Sequence, residues 1–577
     1  MIVQALVKYY EALAARGEIS KPGWCKERVS YALQLSQAGE LIAIVPLLRE
    51  EKRGNKSVLV PQVMSLPERV VKASGVKANF LCDSADYLLG LDIKGNAKRV
   101  LDSFAACKEL HESVLKDCQS TAARALMQFF AQWDPTTASE HPVLTPYRDA
   151  LAAVYIVFLV DGIYAHEDAA IMAAWDAHYA DDSEAQPILC SITGIKTVPV
   201  ELHGKIKLRG GQPAGSNLVS FNATAFESYA KAGNENAAFG KYAAFAYTTA
   251  LNYLLATEGC HQMIDEDTMV YWAEDADPAL QAGFTMMTSP KEEDGDKLAA
   301  IMQKLAAGEA IAEDVNMESR FYVLCLSPNA ARISVRFFLQ DTFGNMMQNL
   351  RAHYARMQII HAPYEREHLS INMLLQELAN PNSREKKPPK PIAGAVLRSI
   401  LTGARYPQTL YSTTLMRVRA EQDNAERRIK KISYGRAAII KAYLLHNTSI
   451  CKEELTVALN ETNDNPAYVL GRLFAVLENT QEAANPTINT TIKDKYFTSA
   501  CTTPKSVFPT LLRLSHAHVG KLEKRLAVYF EKEKGQLMEK LSGDETAFPA
   551  QLDLNGQGQF ILGYYHQVQA RYTKKEE

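Results

Sequence analysis

The stretch GGQPAGSNLVSFN, residues 210–222, combines glycines, hydroxyls and amides, which are groups that can bind phosphates or base edges. Gly211 and Gly215 loosely match the glycine pair of a phosphate-binding P-loop. That motif continues with Lys and then Ser or Thr, whereas Ser216 and Asn217 follow Gly215 here. Without the lysine no side chain reaches the terminal phosphates, which disfavours a nucleotide triphosphatase. A Gly-Pro hairpin turn is the structural alternative.

Other residues with catalytic potential lack the partners that known motifs require. His166 begins no H-E-x-x-H pair, and His516 and His518 are two apart on a predicted helix, so they point in different directions. No G-x-S-x-G motif is present. Cys25 and Cys260 are conceivable thiol nucleophiles, but buried or incidental cysteines are far commoner. The sequence therefore predicts a binding protein, not an enzyme, with no metal and no cofactor.

The elements around residues 210–222 are predicted to be strands and helices that hold the loop. Residues 187–208 read as a hairpin that leads into it, and LVSF, residues 218–221, reads as a buried strand. Residues 241–256 have helical periodicity. Residues 320–341 contain two strands around Pro328.

The rest of the chain divides into a mixed part and a helical part. Residues 29–48 alternate apolar and polar positions around an Ala-Gly turn, which predicts a hairpin, and a second hairpin with a basic tip follows. Residues 98–133 have helical spacing. Almost no strand signal follows residue 394. We therefore predict an α+β N-terminal two-thirds, with mixed or antiparallel strands, followed by an all-α C-terminal helical bundle.

Length and composition are consistent with several soluble domains. The chain has 577 residues, 47% apolar and 22% charged residues and a net charge of −3, so a nucleic-acid role must come from local patches. The nine cysteines include no C-x-x-C pair, which is typical of reduced thiols in a cytoplasmic protein. No apolar run approaches the ~20 residues that cross a bilayer. We expect a cytoplasmic protein that makes no membrane contact.

A composition change at residues 380–394 suggests a domain boundary. This Pro/Lys-rich stretch holds four prolines. We predict a domain at 1–379, with a possible sub-boundary near 100–140, a connection at 380–394 and a helical bundle at 395–577. Between Val396 and Tyr443 there are ten Lys or Arg against three acidic residues, which indicates either a solvated helical face or a phosphate-contacting one.

Three separated segments resemble one known family. NFLCDSADYLLGLD (79–92), the stretch 218–255 that follows the loop, and FYVLCLSPNAARISVRFF (321–338) are similar, in this order, to the large subunit of the type I-C CRISPR surveillance complex, Cascade. The resemblance covers essentially the whole chain. Ile195 stands where an acidic residue is expected, and Pro213 where a small polar residue is usual.

The resemblance implies a non-catalytic subunit for antiviral defence, a ribonucleoprotein component that is both DNA-binding and RNA-binding. Similar proteins hold the guide RNA 5′ handle and recognise the protospacer-adjacent motif (PAM) on double-stranded target DNA. They help to open the duplex, hold the displaced single strand and dock a helicase–nuclease. The implied protein partners are the Cascade backbone, handle-binding and small subunits, the last being similar to residues 395–577.

On this resemblance the loop becomes a candidate for DNA-motif contact. Gln212 and Asn217 carry both donor and acceptor groups, which suit base edges. Glycines at 211 and 215 would let the backbone approach a groove floor. We expect Ser216, Ser220 and Asn222 to contact phosphate or sugar. Phe221 and Phe226 are predicted core anchors beneath the loop.

Basic residues elsewhere are assigned to nucleic-acid backbones. Lys52, Arg53 and Lys56 would clamp duplex DNA, and simple solvation of a basic hairpin tip is the alternative. Asn329, Arg332 and Arg336 would contact handle RNA or phosphate, although a salt bridge within the domain explains either arginine equally well. The candidates for displaced-strand contact are Arg417, Arg419, Arg427, Arg428, Lys430, Lys431, Arg472, Arg513 and Lys524.

Two further hypotheses remain at this point. Translation starting inside the gene at Val457, behind a purine-rich codon run for Lys452-Glu453-Glu454, would release a helical fragment of about 120 residues. The alternative to a binding subunit is a metal-independent nuclease whose scattered Asp and His residues form no recognisable motif.

Overall fold

The chain divides into two compact units in its computed structural model. The model describes residues 2–53, 56–70, 75–93, 95–180, 187–221, 223–313, 315–389, 392–541 and 548–572, except for the side chains of Arg53 and Lys56. Unit 1 comprises Met1–Ala256 with Ala330–Arg332, and unit 2 comprises Thr257–Asn329 with Ile333–Glu577. The units therefore divide at 256/257, and the connection predicted at 380–394 lies within unit 2.

Unit 1 mixes strands with helices. Its elements are α1 (Ile2–Ala15), β1 (Trp24–Val29), β2 (Tyr31–Leu35), β3 (Leu41–Pro46), β4 (Leu48–Arg53), β5 (Lys56–Pro67), α2 (Ala85–Leu88), α3 (Ala97–Leu115), α4 (Thr121–Gln132), β6 (Ile156–Val160), β7 (Ile163–Tyr164), α5 (Ala169–Ala180), β8 (Ile188–Leu189), β9 (Lys196–Thr197) and α6 (Lys241–Ala256).

The strands of unit 1 form three sheets with the orders β1-β5-β4, β3-β2-β6-β7 and β8-β9. β2 pairs antiparallel with β3 and parallel with β6, so that Tyr31 lies opposite Ile156. β2 and β6 are nearly all apolar because this sheet packs on a core that includes Phe80, Phe129 and Phe158.

Unit 2 contains one sheet and the helical C-terminal part. Its elements are β10 (His261–Ile264), β11 (Asp267–Ala273), α7 (Pro278–Thr288), α8 (Gly295–Ala307), β12 (Arg320–Asn329), β13 (Arg332–Thr342), α9 (Phe343–Met357), α10 (Ile371–Gln376), α11 (Ile392–Thr402), α12 (Gln408–Ala420), α13 (Tyr434–Asn447), α14 (Pro466–Ala484), α15 (Ile492–Thr502), α16 (Pro504–Val519), α17 (Lys524–Leu541) and α18 (Leu554–Gln569).

The C-terminal helices pack around α14 and α18. An added Cβ at Gly471 would lie 1.9 Å from the Phe560 carbonyl oxygen, and one at Gly563 would lie 2.1 Å from that of Tyr468. Only glycine permits this approach of the two backbones. Asn465 caps α14 by accepting from the amides of the first turn, directly before Pro466.

The predicted fold class is confirmed, with sheets in the N-terminal part and helices in the C-terminal part. The β2–β3 and β4–β5 hairpins lie where the alternation indicated them. β12 continues through Pro328, and the chain turns at residues 330 and 331. Within the described ranges, no helix is both long and apolar enough to cross a membrane.

Candidate nucleic-acid interface

Residues 207–215 form a loop that its own backbone closes; we call it the 207–215 loop. Ile206 and Ser216 pair antiparallel, and each amide donates to the other's carbonyl at 2.9 Å. Inside the loop, the Gly211 amide donates to the Leu208 carbonyl at 3.0 Å, and the Gly215 amide to the Gln212 carbonyl at 2.8 Å. Two consecutive turns therefore fix the loop shape, with Pro213 in the second. The Gly-Pro hairpin turn offered as the structural alternative describes this backbone.

The glycines of the loop serve contacts within the protein. Gly215 has φ +87°, and an added Cβ would lie 2.8 Å from the Cβ of Lys205. An added Cβ at Gly211 would lie 3.0 Å from the Leu208 carbonyl oxygen. These contacts within the protein already favour glycine at both positions, and the predicted approach to a DNA groove stays a prediction.

Gln212 is exposed in the second turn, whereas the polar residues after it are used internally. Ser216 is 1% exposed, and its hydroxyl donates to the Ala330 carbonyl at 3.1 Å. The Asn217 side chain accepts from Lys205 Nζ at 2.5 Å and donates to the His203 carbonyl at 3.4 Å. The predicted DNA contacts of Ser216 and Asn217 stay predictions, and in this structure the polar groups of both residues hold the base of the loop.

The segment after the loop differs from its prediction. LVSF is half-buried and lies outside every strand among the described residues, so the predicted buried strand is wrong. Ser220 and Phe221 are both half-buried, and Asn222 lies outside the described residues. One bond sets the path of this segment: the Asn217 amide donates to the Ala331 carbonyl at 3.0 Å. Among the described residues, backbone pairing does not continue from this contact along residues 218–221, so the segment forms no strand.

Two exposed cations beside Gln212 were missed in the sequence. Lys207 and Arg209 are exposed, whereas Ile206, which precedes Lys207, and Leu208, which lies between the two cations, are buried. The alternation in KIKLR carries this signal, since such a pattern places all cations on one face of an extended segment. The 207–215 loop thus presents two cations and one amide to solvent.

Arg332 contributes a third cation, stacked on an aromatic ring. Its guanidinium carbon lies 3.8 Å from the centroid of the Phe226 ring. Phe226 is 43% exposed, so its prediction as a core anchor is wrong. A guanidinium that stacks on a ring face is held in a defined position, and guanidinium groups are well suited to phosphate contact.

Asn329 and Arg336 lie in unit 2 and have partners there. Asn329 Nδ2 donates to Ser334 Oγ at 3.4 Å. Arg336 forms an ion pair with Asp267 at 3.5 Å and donates to Ser327 Oγ at 3.1 Å. The salt-bridge alternative therefore describes Arg336.

The basic hairpin is formed by β4 and β5, in which Arg53 lies opposite Lys56. Lys52 is exposed next to this tip. The side chains of Arg53 and Lys56 lie outside what the structure describes. The duplex clamp stays a prediction. Lys52 is exposed, as a contact with DNA would require.

Three C-terminal cations proposed for displaced-strand contact are buried or half-buried in the structure. Lys431 is 1% exposed, and its ammonium donates to the Glu421 carbonyl at 2.8 Å. Arg472 is buried and donates to Gln567 Oε1 at 2.9 Å. The Arg417 side chain, 13% exposed, forms an ion pair with Glu421 at 3.1 Å. Their predicted contacts with the displaced strand stay predictions, and in this structure the three groups are paired inside the unit.

The remaining displaced-strand candidates reach the surface to different degrees. Arg419 is half-buried, and the exposed ones are Arg427, Arg428, Lys430, Arg513 and Lys524. Arg427 donates to Asn382 Oδ1 at 3.1 Å, and Lys430 pairs with Glu365 at 3.0 Å. The basic composition of residues 396–443 is thus only partly a surface property.

The thiols considered as nucleophiles are electrostatically unsuited to that role. Burial raises the pKa of Cys25 to about 11, and it raises the pKa of Cys260 to about 11 as well. A nucleophilic cysteine requires the opposite shift, toward the thiolate. Among the described residues, no group of three or more His, Cys, Asp or Glu side chains is placed to hold a metal ion.

Comparison with known proteins gives one match that spans the chain. A family model described as CRISPR-associated protein (Cas_Csd1) matches residues 6–572. No curated protein matches the chain.

Proposed function

Because the chain belongs to the Cas_Csd1 family of CRISPR-associated proteins, which is of the Cascade type, we propose that it is the large subunit of a type I-C surveillance complex. In this role it recognises the protospacer-adjacent motif on duplex DNA, helps to open the duplex and provides a docking surface for the helicase–nuclease. Guide RNA pairing then reads the remaining target sequence.

The observation that carries this proposal is the 207–215 loop. Its backbone is closed by the Ile206–Ser216 pair and by two turns, so Gln212 is held in a defined position while remaining exposed. A pre-organised loop loses little conformational entropy on binding. A glutamine amide can pair bidentately with adenine in the major groove, and in the minor groove it separates A·T from G·C pairs.

The cations around the loop suit phosphate contact. Lys207 directly precedes the first turn, Arg209 lies within it, and Arg332 lies on Phe226 in the same unit. Phosphate contacts fix register without carrying sequence information, and base contacts specify. We assign Gln212 to motif reading and these three cations to the DNA backbone.

We further propose that the subunit is non-catalytic. The raised pKa values of Cys25 and Cys260 support this, because burial keeps both thiols protonated near neutral pH. In the complex, partner subunits and the guide RNA 5′ handle would complete the DNA-binding surface, and the C-terminal helices would face the displaced strand.

The test uses the complex reconstituted with guide RNA, with and without this chain. We expect the complete complex to bind a motif-bearing duplex, to discriminate against a motif-scrambled one and to leave both uncut in the absence of the helicase–nuclease. DNA cleavage by the purified chain, or equal binding of the two duplexes, would overturn the proposal.

A further inference from the structure

Unit 2 contains an aromatic cavity that the sequence did not indicate. Its volume is about 680 Å³, within the range of roughly 300–1,000 Å³ typical of small-molecule sites. Five tyrosines line it, and we call it the tyrosine cleft: Tyr364, Tyr434, Tyr564, Tyr565 and Tyr572. The lining comes from four separate parts of the chain, so no local sequence pattern reveals it.

The inner three tyrosines are held in fixed positions by their hydroxyls. Tyr434 donates to the Glu367 carbonyl at 2.9 Å, Tyr564 to Glu478 Oε2 at 2.6 Å, and Tyr565 to the Ile360 carbonyl at 2.7 Å. All three rings are nearly completely buried. Since each hydroxyl is already bonded within the protein and the rings are buried, these residues form a fixed aromatic wall of the cavity.

The outer two tyrosines stand at the mouth. Tyr364 is 79% exposed and Tyr572 is 77% exposed. Lys430 Nζ lies 5.7 Å from the Tyr364 ring centroid. Exposed aromatic rings that line a cavity bury apolar surface when a flat ring stacks against them.

The charges inside the tyrosine cleft compensate each other. Lys430 pairs with Glu365 at 3.0 Å, and Lys493 pairs with Asp423 at 2.6 Å. Because each carboxylate is paired with a lysine, these four groups have no net charge that would attract a phosphate into the cleft. The same four groups offer both donors and acceptors to the polar edge of a neutral planar ring.

Two exposed arginines lie on the loop that carries Asp423 and Lys430. Arg427 and Arg428 are exposed on this loop, and Arg427 bonds to the neutral Asn382 side chain. An aromatic, charge-neutral interior beside external guanidinium groups has the arrangement expected for a base inside and a phosphate outside.

We propose that the tyrosine cleft binds one unstacked nucleobase of a single-stranded nucleic acid, with the adjoining phosphates at Arg427 and Arg428. The inference rests on the proposed function, which supplies a displaced single strand to unit 2. The tyrosine cleft would bind the strand through a base, whereas contacts to the backbone alone would not depend on the presence of bases.

The test compares a labelled mixed-sequence single strand with its fully abasic counterpart, by fluorescence anisotropy on the full-length protein. Base–aromatic stacking contributes enough for us to expect about five- to hundredfold tighter binding of the intact strand. Tyr364→Ala with Tyr572→Ala should remove most of that preference, and the corresponding Phe pair should retain it. Tyr229→Ala, which changes a 96% exposed tyrosine of unit 1, is the matched control.

Photo-cross-linking with a strand that contains 4-thiothymidine gives a readout in the unmutated protein. We expect cross-linked peptides that include Tyr364 or Tyr572. Equal binding of intact and abasic strands, an unchanged preference in the alanine pair, or cross-links confined to other peptides would overturn the inference. Release of a partner subunit by the alanine pair, with the base preference unchanged, would make the tyrosine cleft a protein-docking site and would also overturn it.

These outcomes are separable from those of the proposed function. Motif discrimination on duplex DNA depends on the 207–215 loop in unit 1, so the alanine pair in unit 2 should leave it intact. A complex that binds duplexes without motif preference refutes the proposed function, whereas the comparison of intact and abasic strands still decides the cleft.

Discussion

Replacing Lys207 and Arg209 together by Gln should lower the salt dependence of duplex binding. Both side chains are exposed beside Gln212, and neither replacement disturbs the buried Ile206 and Leu208 that seat the segment. Each phosphate contact releases condensed counterions, and it contributes about 0.9 to the slope of log affinity against log salt concentration. Two contacts therefore predict a slope that is less steep by about 1.8.

This slope change has a measurable consequence. Over a fourfold rise in salt, from about 50 to 200 mM, the affinity advantage of the wild type over the variant should shrink by about twelvefold. The assay is anisotropy of a labelled motif-bearing duplex with the reconstituted complex at a series of salt concentrations. Motif preference should be nearly unchanged, because phosphate contacts carry no sequence information.

A matched variant separates local contacts from overall charge. Lys98→Gln with Lys116→Gln removes the same two charges from exposed positions on and directly after α3, which packs against α2, α4 and α5. We expect this pair to leave the slope at its wild-type value. An unchanged slope in the Lys207 and Arg209 variant, or equal changes in the two pairs, would refute the assignment of these cations to phosphates.

Four further predictions concern the loop, its neighbour and the stability of the units. Gly215→Ala places a side chain on a residue in the left-handed region at φ +87°, at a cost of about 1–2 kcal/mol. It should speed tryptic cleavage at Lys207 or Arg209. Cleavage at the wild-type rate would show that the loop tolerates a Cβ. Phe226→Leu removes the ring beneath Arg332 and should weaken duplex binding about two- to fivefold, as expected for a loss of roughly 0.5–1 kcal/mol, whereas Phe226→Tyr should bind as the wild type does. Burial lowers the pKa of His353 to about 3, so below about pH 6.5 the unfolded chain takes up a proton at this residue while the folded chain does not. The free energy of unfolding should therefore fall by about 1.4 kcal/mol per pH unit for this group as pH decreases. Between pH 7 and 5, the thermal midpoint of His353→Phe should fall less than that of the wild type. Residues 457–577 contain α14 to α18 with their mutual contacts, so this fragment expressed alone should give a helical circular-dichroism spectrum with a cooperative melt, and a random-coil spectrum would contradict its independence.

Elements with strong local periodicity could be predicted from the sequence. The alternation around the Ala-Gly turn indicated the β2–β3 hairpin, and Gly39 adopts φ +81° at the turn between these two strands. The C-terminal helices followed from apolar spacing and caps such as Asn465-Pro466. In these cases the local preference and the tertiary contacts agree.

Features that depend on distant partners could not be predicted. LVSF has strand-like composition, but the Asn217 amide is bonded to Ala331, more than a hundred residues away, and no ladder continues along the segment. From composition alone, Lys431 and Arg472 would be counted as surface charges. In the structure both are buried, and they donate hydrogen bonds to backbone carbonyls and to an amide oxygen. Charge counts give the number of cations and leave their burial undetermined.

Gln212 was identified from the sequence, whereas its cationic neighbours were missed. Its amide and the glycines around it indicated a loop, and the structure leaves Gln212 exposed in a turn. The turn residues give no indication of Lys207 and Arg209, which are placed on one face by the alternation in KIKLR. The tyrosine cleft has no counterpart in any single segment, since its five rings come together only in the folded unit.

The assignment of Gln212 to motif reading can be tested by selection from duplexes randomised at the motif. The reconstituted complex would be compared with its Gln212→Ala and Gln132→Ala forms, where Gln132 is an exposed glutamine of α4 in the same unit. Loss of a base contact worth about 1–3 kcal/mol predicts that Gln212→Ala reduces the preference at one motif position by about five- to hundredfold, and that Gln132→Ala leaves every position unchanged. An unaltered motif profile for Gln212→Ala would contradict the role of the 207–215 loop as the reader of the motif.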